Sequence, residues 1–273
     1  MAVFVVLIII SNVLLSAVYY VNKVMLNSNF YQLTYYLFNG KAGSGSFKVV
    51  MDTIITCIPF ALLSIIVTVL PIILVKHFKW FAVKKFIKIY VISLLCFCVL
   101  LTLHSYQFDD YVINKSKKTD IYKYYKDTNK VNVSFKGKKR NLILVYLESV
   151  ESSLMSKENG GLFNKSRIPE LETLALENDN FSNTDKLGGG KNLTVSSFTM
   201  ASLVASSSGT PLDIKIFGGY NEKNKIMPEV KTLGDILKEN GYNLKVIQGT
   251  DINFSATDQY YKIHGDYEIV DYN

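Results

Sequence analysis

No cysteine lies beyond Cys98 in this chain of 273 residues. The three present, Cys57, Cys96 and Cys98, all fall in long apolar runs. The polar remainder therefore has no disulfide framework. Cys96 and Cys98 are two apart, which points them to different sides of a helix and makes them a poor metal pair. Charge is missing just as selectively. Residues 2–21 carry none. Residues 76–88 carry Lys76, Lys79, Lys84, Lys85 and Lys88 without one acid. The start also lacks the basic n-region that opens a secretory signal, so the first run reads as a retained helix.

Three runs are long enough to cross a bilayer, which takes about 20 apolar residues. They are residues 2–21, 53–75 and 86–106. Pro59 and Pro71 lie inside the second, where a membrane helix tolerates them better than a soluble one. A buried core helix is the competing reading, and the lack of charge in the first two runs weighs against it. The acid-free lysine loop marks the cytoplasmic side. Residues 22–51 and everything after 106 are then outside, although Lys23, Lys41 and Lys48 weaken the contrast. The expected protein is a multi-pass cell-membrane protein with an extracytoplasmic polar domain. The formal charge of +7 fits topogenic lysines and attraction to anionic lipid headgroups, with no nucleic acid as partner.

The organisation follows as a transmembrane part at 1–106, a linker or stalk at 107–138 with a helix over 108–130, and an α/β domain at 139–273. In the outer loop, "NFYQLTYYLFNGKAGSG" is dense in rings that favour the water–lipid interface. It reads as a helix on the membrane surface ended by Gly40, Gly43 and Gly45, or equally as a plain connector. In the polar domain the apolar run 142–147 reads as a buried parallel strand. Glu148 ends it, where open α/β sheets place ligands, so it is a candidate metal carboxylate. A solvated acid at a loop start is the alternative. Helices are expected at 169–177, 195–206, 232–239 and 257–263, with strands at 181–184, 244–248 and 267–270. That alternation implies a mostly parallel sheet covered by helices.

The stretch "GGGKNLTVSSFTM" places Thr194 at the start of the 195–206 helix. Helix N-termini suit phosphate, and a hydroxyl there, deprotonated by a metal ion, is a candidate nucleophile. Lys191 is placed to neutralise phosphate charge. A flexible loop followed by an ordinary helix cap is the competing reading.

Three blocks occur in order behind the membrane helices: "NLILVYLESVESS", "GGGKNLTVSSFTMASLVASSSGTPL" and "VIQGTDINFSATDQYYKIHGDY". Together they resemble the sulfatase-like phosphoglycerol transferases. That group includes lipoteichoic-acid synthases and the enzymes that add phosphoglycerol to membrane-derived oligosaccharides, and the second block looks closer to the latter. The resemblance implies an alkaline-phosphatase/sulfatase-like fold. It implies Glu148 as a metal ligand, and Thr194 as nucleophile and metal ligand, with a divalent ion, Mn²⁺ or Mg²⁺. The implied reaction moves glycerophosphate from phosphatidylglycerol through Thr194 to a glycan or polyglycerophosphate acceptor.

The departures are specific. The family's later Asp-His pair and a further His do not occur before residue 273, and His104, Asp109 and Asp110 are membrane-proximal. His264 falls at a helix end and reads as structural. Gln248 stands where lipoteichoic-acid synthases have a His, and Ser255 and Thr257 stand where they have Trp and Arg. Gln248 and Asp251 are the polar groups available to an acceptor. The expectation is therefore the N-terminal portion of a longer, apparently truncated enzyme. The alternatives are an inactive truncated membrane protein, or a sulfatase or phosphoethanolamine transferase relative. The C/S-x-P-x-R signature of a sulfatase is missing around Thr194.

Overall fold

The computed structural model describes residues 2–23, 28–39, 46–78, 82–118, 120, 123–182, 184–190, 193, 196–215, 218–221 and 223–271. The chain opens with α1 (Ala2–Lys23), a short α2 (Phe30–Asn39), α3 (Ser46–His77) and α4 (Val83–Ser105). Helices α1 and α4, and residues Ile54–His77 of α3, are long and apolar enough to cross a membrane. They mark a membrane protein.

Lipid tails are as apolar as leucine, so packing and polar pairs, rather than water exclusion, hold such helices together. Asn12 supplies the polar pair here. It is buried on α1, its Nδ2 donates to Thr68 Oγ1 at 3.0 Å, and its Oδ1 accepts from Ser64 Oγ at 2.8 Å. From α4, the Tyr90 hydroxyl donates to the Thr68 carbonyl at 3.1 Å. One node thus joins all three spans.

Beyond α4 the chain breaks at Tyr106 and Gln107 and resumes as α5 (Phe108–Lys115). The stalk helix is therefore shorter than the expected 108–130. A 3₁₀ turn at Thr128–Lys130 ties the rest to the polar domain instead, because Thr128 Oγ1 donates to the Lys231 carbonyl at 2.8 Å. Phe30 on α2 packs on Phe108 and Tyr111 of α5, with centroids 5.1 and 5.0 Å apart. These rings match the aromatic enrichment of a membrane–water boundary.

The helix expected between the first two spans exists, but it does not simply lie on lipid. Tyr35 is 1% exposed. Its ring lies 5.3 Å from Phe198 and 6.2 Å from Tyr220, and its hydroxyl donates to the Ser255 carbonyl at 2.6 Å. Asn39 Oδ1 accepts from the Tyr220 N–H at 2.7 Å. A Cβ on Gly219 would stand 2.6 Å from the Phe38 carbonyl oxygen, so glycine allows this close approach. Helix α2 ends at Asn39; Gly40, Gly43 and Gly45 lie outside the described residues.

The polar domain contains α6 (Pro169–Glu177), α7 (Thr199–Ser208), α8 (Leu233–Glu239), β1 (Lys245–Ile247), α9 (Thr257–Ile263) and β2 (Glu268–Val270). Strands β1 and β2 pair in parallel, Lys245 opposite Glu268 and Ile247 opposite Val270, with α9 in the crossover. The core gathers on α7, where Met200, Ala201, Leu203 and Val204 pack with Leu212, Tyr220, Ile226, Ala256 and Tyr260. Gly209, at φ +69°, closes α7 in the left-handed conformation that suits glycine.

Two expected strands are not formed. Residues 142–147 carry no ladder and are exposed, Ile143 at 83% and Val145 at 71%. No ladder forms at 181–184 either; Phe181 is exposed, and residue 183 lies outside the described residues. An apolar run becomes a strand only where a neighbour takes its N–H and C=O groups. Among the described residues the one ladder is β1 with β2, so the parallel sheet here is two-stranded. The helix expected from 195 begins at Thr199. Phe198 stays extended, at φ −132° and ψ 162°, and is buried in the core.

Glu172 on α6 anchors the preceding loop. It accepts from Ser156 N at 3.1 Å, Ser156 Oγ at 2.5 Å and Asn159 Nδ2 at 2.5 Å. Hydrogen bonds from Ser156 first, then Ser166 and Asn159, pull its carboxyl down to about 2. A carboxyl depressed on folding stabilises above its unfolded pKa, about 4.3 for Glu, and that help fades as pH falls through the folded value. Unfolding of the wild type should therefore become easier between about pH 4 and pH 2. A Glu172→Gln variant should show a flatter profile there in denaturant titrations.

Candidate functional site

Glu148 follows the extended run and sits in a turn whose next residue, Ser149, has φ +62°. A non-glycine residue in that region is strained, and such strain persists where the surroundings enforce it, often at functional sites. The turn brings Glu148 to the start of α7, where Thr199 Oγ1 donates to Glu148 Oε1 at 2.6 Å. The two residues are 51 positions apart in sequence. Hydroxyl-to-carboxylate bonds of this length are among the stronger kind.

Thr199 is the first residue of α7, so unpaired N–H groups and the positive end of the helix dipole surround its hydroxyl. An anion brought to Thr199 would meet both. Thr194 and Lys191 lie outside the described residues. Gln248 and Asp251 are not joined to Glu148 by any hydrogen bond. Gln248 Nε2 donates to Thr250 Oγ1 at 3.0 Å, and Asp251 Oδ1 accepts from the backbone N–H and the side chain of Asn253, each at 2.9 Å. Sequence reasoning passed over Thr199. No local signal set Thr199 apart from the neighbouring hydroxyl residues; its place follows from Phe198, which stays extended and buried just before it.

The reading of His264 as structural agrees with its surroundings. It is 3% exposed. Nε2 faces the Ile226 carbonyl at 2.9 Å and Nδ1 faces Asp235 Oδ2 at 3.2 Å. Asp235 also forms the capping box of α8 with Thr232. Burial tends to raise the Asp235 carboxyl, but bonds from His264 and Thr232 outweigh it and hold the group below the usual carboxylate range.

The described residues fit a metal only in part. Glu148 and Thr199 offer the oxygen ligands that Mn²⁺ or Mg²⁺ take, but such ions want about six. Among the described residues no group of three or more His, Cys, Asp or Glu side chains converges. Two oxygens do not by themselves make such a site.

The Sulfatase family matches residues 140–273. These residues form a sulfatase-family domain. The sulfatase-family part contains both Glu148 and Thr199. The chain is also similar to proteins named phosphoglycerol transferase I from Escherichia coli O6:K15:H31 (strain 536), E. coli O157:H7 (strain EC4115) and Shigella boydii serotype 18 (strain CDC 3083-94). Identity is 33% over 147 residues in each case, covering 54% of this chain and 18% of the relative. The chain thus spans less than a fifth of the length of these relatives. No solved structure matches it.

Removing the His264 ring leaves the Ile226 carbonyl and Asp235 without their partner. His264→Ala should cost about 1–3 kcal/mol, read as a lower unfolding midpoint in denaturant.

Proposed function

We propose that the protein is a membrane-bound phosphoglycerol transferase whose nucleophile is Thr199, positioned by Glu148. The observation that carries this is the 2.6 Å bond from Thr199 Oγ1 to Glu148 Oε1 at the head of α7. The sulfatase-family match and the likeness to phosphoglycerol transferase I support the reaction class. The donor is phosphatidylglycerol, in keeping with three apolar spans that put the domain beside a bilayer.

In the first step Thr199 Oγ attacks phosphorus. Its proton passes to the Glu148 carboxylate, the bond from phosphorus to the diacylglycerol oxygen breaks, and that oxygen takes up the proton. Free N–H groups of the first turn of α7 face the phosphoryl oxygens as charge builds on them. In the second step a hydroxyl of a glycan or polyglycerophosphate acceptor attacks the same phosphorus. The acceptor's proton passes to the Glu148 carboxylate, the bond from phosphorus to Thr199 Oγ breaks, and Thr199 Oγ takes that proton up. A divalent cation, when bound, would neutralise phosphoryl charge. Glu148 and Thr199 are the described oxygens that would hold it.

The domain is extracytoplasmic in this proposal. The acid-free lysine loop between the second and third spans points the same way, and so does the docking of α2, from the loop between the first two spans, on the polar domain.

The test is diacylglycerol release from phosphatidylglycerol vesicles by the full-length protein in its membrane. Thr199→Ala should lose activity by about a hundredfold or more, and mass spectrometry should find glycerophosphate on the peptide holding Thr199. Loss of activity in Thr194→Ala with retention in Thr199→Ala would transfer the role to Thr194.

A further inference from the structure

Helix α2 belongs by sequence to the membrane part, yet it reaches the candidate site. Tyr36 packs its ring 5.8 Å from Phe198 and 5.6 Å from Phe254. Phe198 is the residue immediately before Thr199. Phe254 opens the turn holding Ser255 and Ala256, both left-handed at φ +59°. The Tyr36 hydroxyl lies among the side chains of Thr199, Gln32 and Ser255, close enough to Glu148 to feel its charge. Burial pushes the phenol up, as does Glu148, while its neighbours act against them. The Ser255 hydroxyl, fully buried, meets no partner at hydrogen-bonding geometry.

Tyr35 and Asn39 fix the height and rotation of α2, since Tyr35 bonds Ser255, Asn39 bonds Tyr220, and Gly219 abuts the Phe38 carbonyl. Leu37 and Phe38 remain exposed. The face of α2 carrying Tyr35 and Tyr36 thus forms a wall against the turn before α7.

From this placement we infer that Tyr36 is a positioning residue for Thr199, so that the site is set only while α2 of the membrane part is docked. The inference rests on the reading of Thr199 and Glu148 as the reacting pair. It adds a group from outside the sulfatase-family part. Tyr36 takes no part in bond making; its ring seats Phe198 and its hydroxyl limits the orientations open to the Thr199 side chain.

The test uses the full-length protein in phosphatidylglycerol vesicles. Tyr36→Phe keeps the ring and removes the hydroxyl. Diacylglycerol release should lose roughly three- to tenfold in kcat, with KM within about twofold and an unchanged unfolding midpoint. Gly219→Ala, far from the hydroxyl, forces the Phe38 carbonyl away and should lower kcat in the same direction. Hydrogen exchange at residues 198–200 should quicken in both variants. Wild-type kcat and exchange in Tyr36→Phe would overturn the inference, as would a change in KM alone. A wild type that releases no diacylglycerol would overturn the proposed transferase instead. Exchange at 198–200 would then decide the role of Tyr36 by itself, quickening upholding it and no change ending it.

Discussion

Tyr35 is the contact on which the relation between the two parts of this protein depends. It leaves a helix between the first two spans, buries its ring among Phe198, Tyr220 and the residues of α7, and closes with a hydrogen bond to the Ser255 carbonyl. Truncating a ring of this size in a core costs about 3–5 kcal/mol, a large share of the stability of any domain. The same contact orders Phe198, and Phe198 in turn decides where α7 begins. Thr199 heads that helix because its predecessor must stay extended to reach the core. Glu148 then needs only a strained turn at Ser149 to meet the hydroxyl. A packing decision on the membrane side therefore propagates, residue by residue, to the Glu148–Thr199 pair.

The membrane part obeys a different physics. The outward faces of its spans are apolar except for lysines near the helix ends, and specificity comes from few atoms. Asn12, Ser64 and Thr68 form a polar knot that fixes how α1 and α3 face one another, and Tyr90 adds α4. A polar atom in hydrocarbon without a partner is costly, so the spans cannot rotate freely without breaking these bonds. The loop ends of the helices, and with them α2 and α5, inherit that fixed arrangement. The rings of Phe30, Phe108 and Tyr111 then seal the junction.

Much of this was legible in the sequence where local chemistry decides. The spans follow from uncharged length, and the helices expected at 169–177, 232–239 and 257–263 and the strands expected at 244–248 and 267–270 form as α6, α8, α9, β1 and β2 to within a residue at each end. Glu148 was singled out by its place after an apolar run. What failed was decided at a distance. The run at 142–147 carries every local mark of a strand, but pairing is a property of two segments and no single one reveals it. The start of α7 was hidden by hydroxyl residues that all resemble caps, and only the burial of Phe198 selects Thr199. The docking of α2 leaves no trace in its own pattern, since tyrosines suit an interface and a core equally well.

The bonds that seat α2 are all neutral: a phenol on a carbonyl, an amide on a backbone N–H, and tilted or edge-on rings. The stretch that follows the third span holds surface ion pairs instead, Lys123 with Asp120 and Lys130 with Asp127, and added salt weakens such pairs within a Debye length of about 8 Å at physiological strength. The α2 seat does not depend on them. The polar domain is thus kept against α2 by contacts indifferent to ionic strength, and a rise in salt would loosen those ion pairs without letting the domain drift from α2.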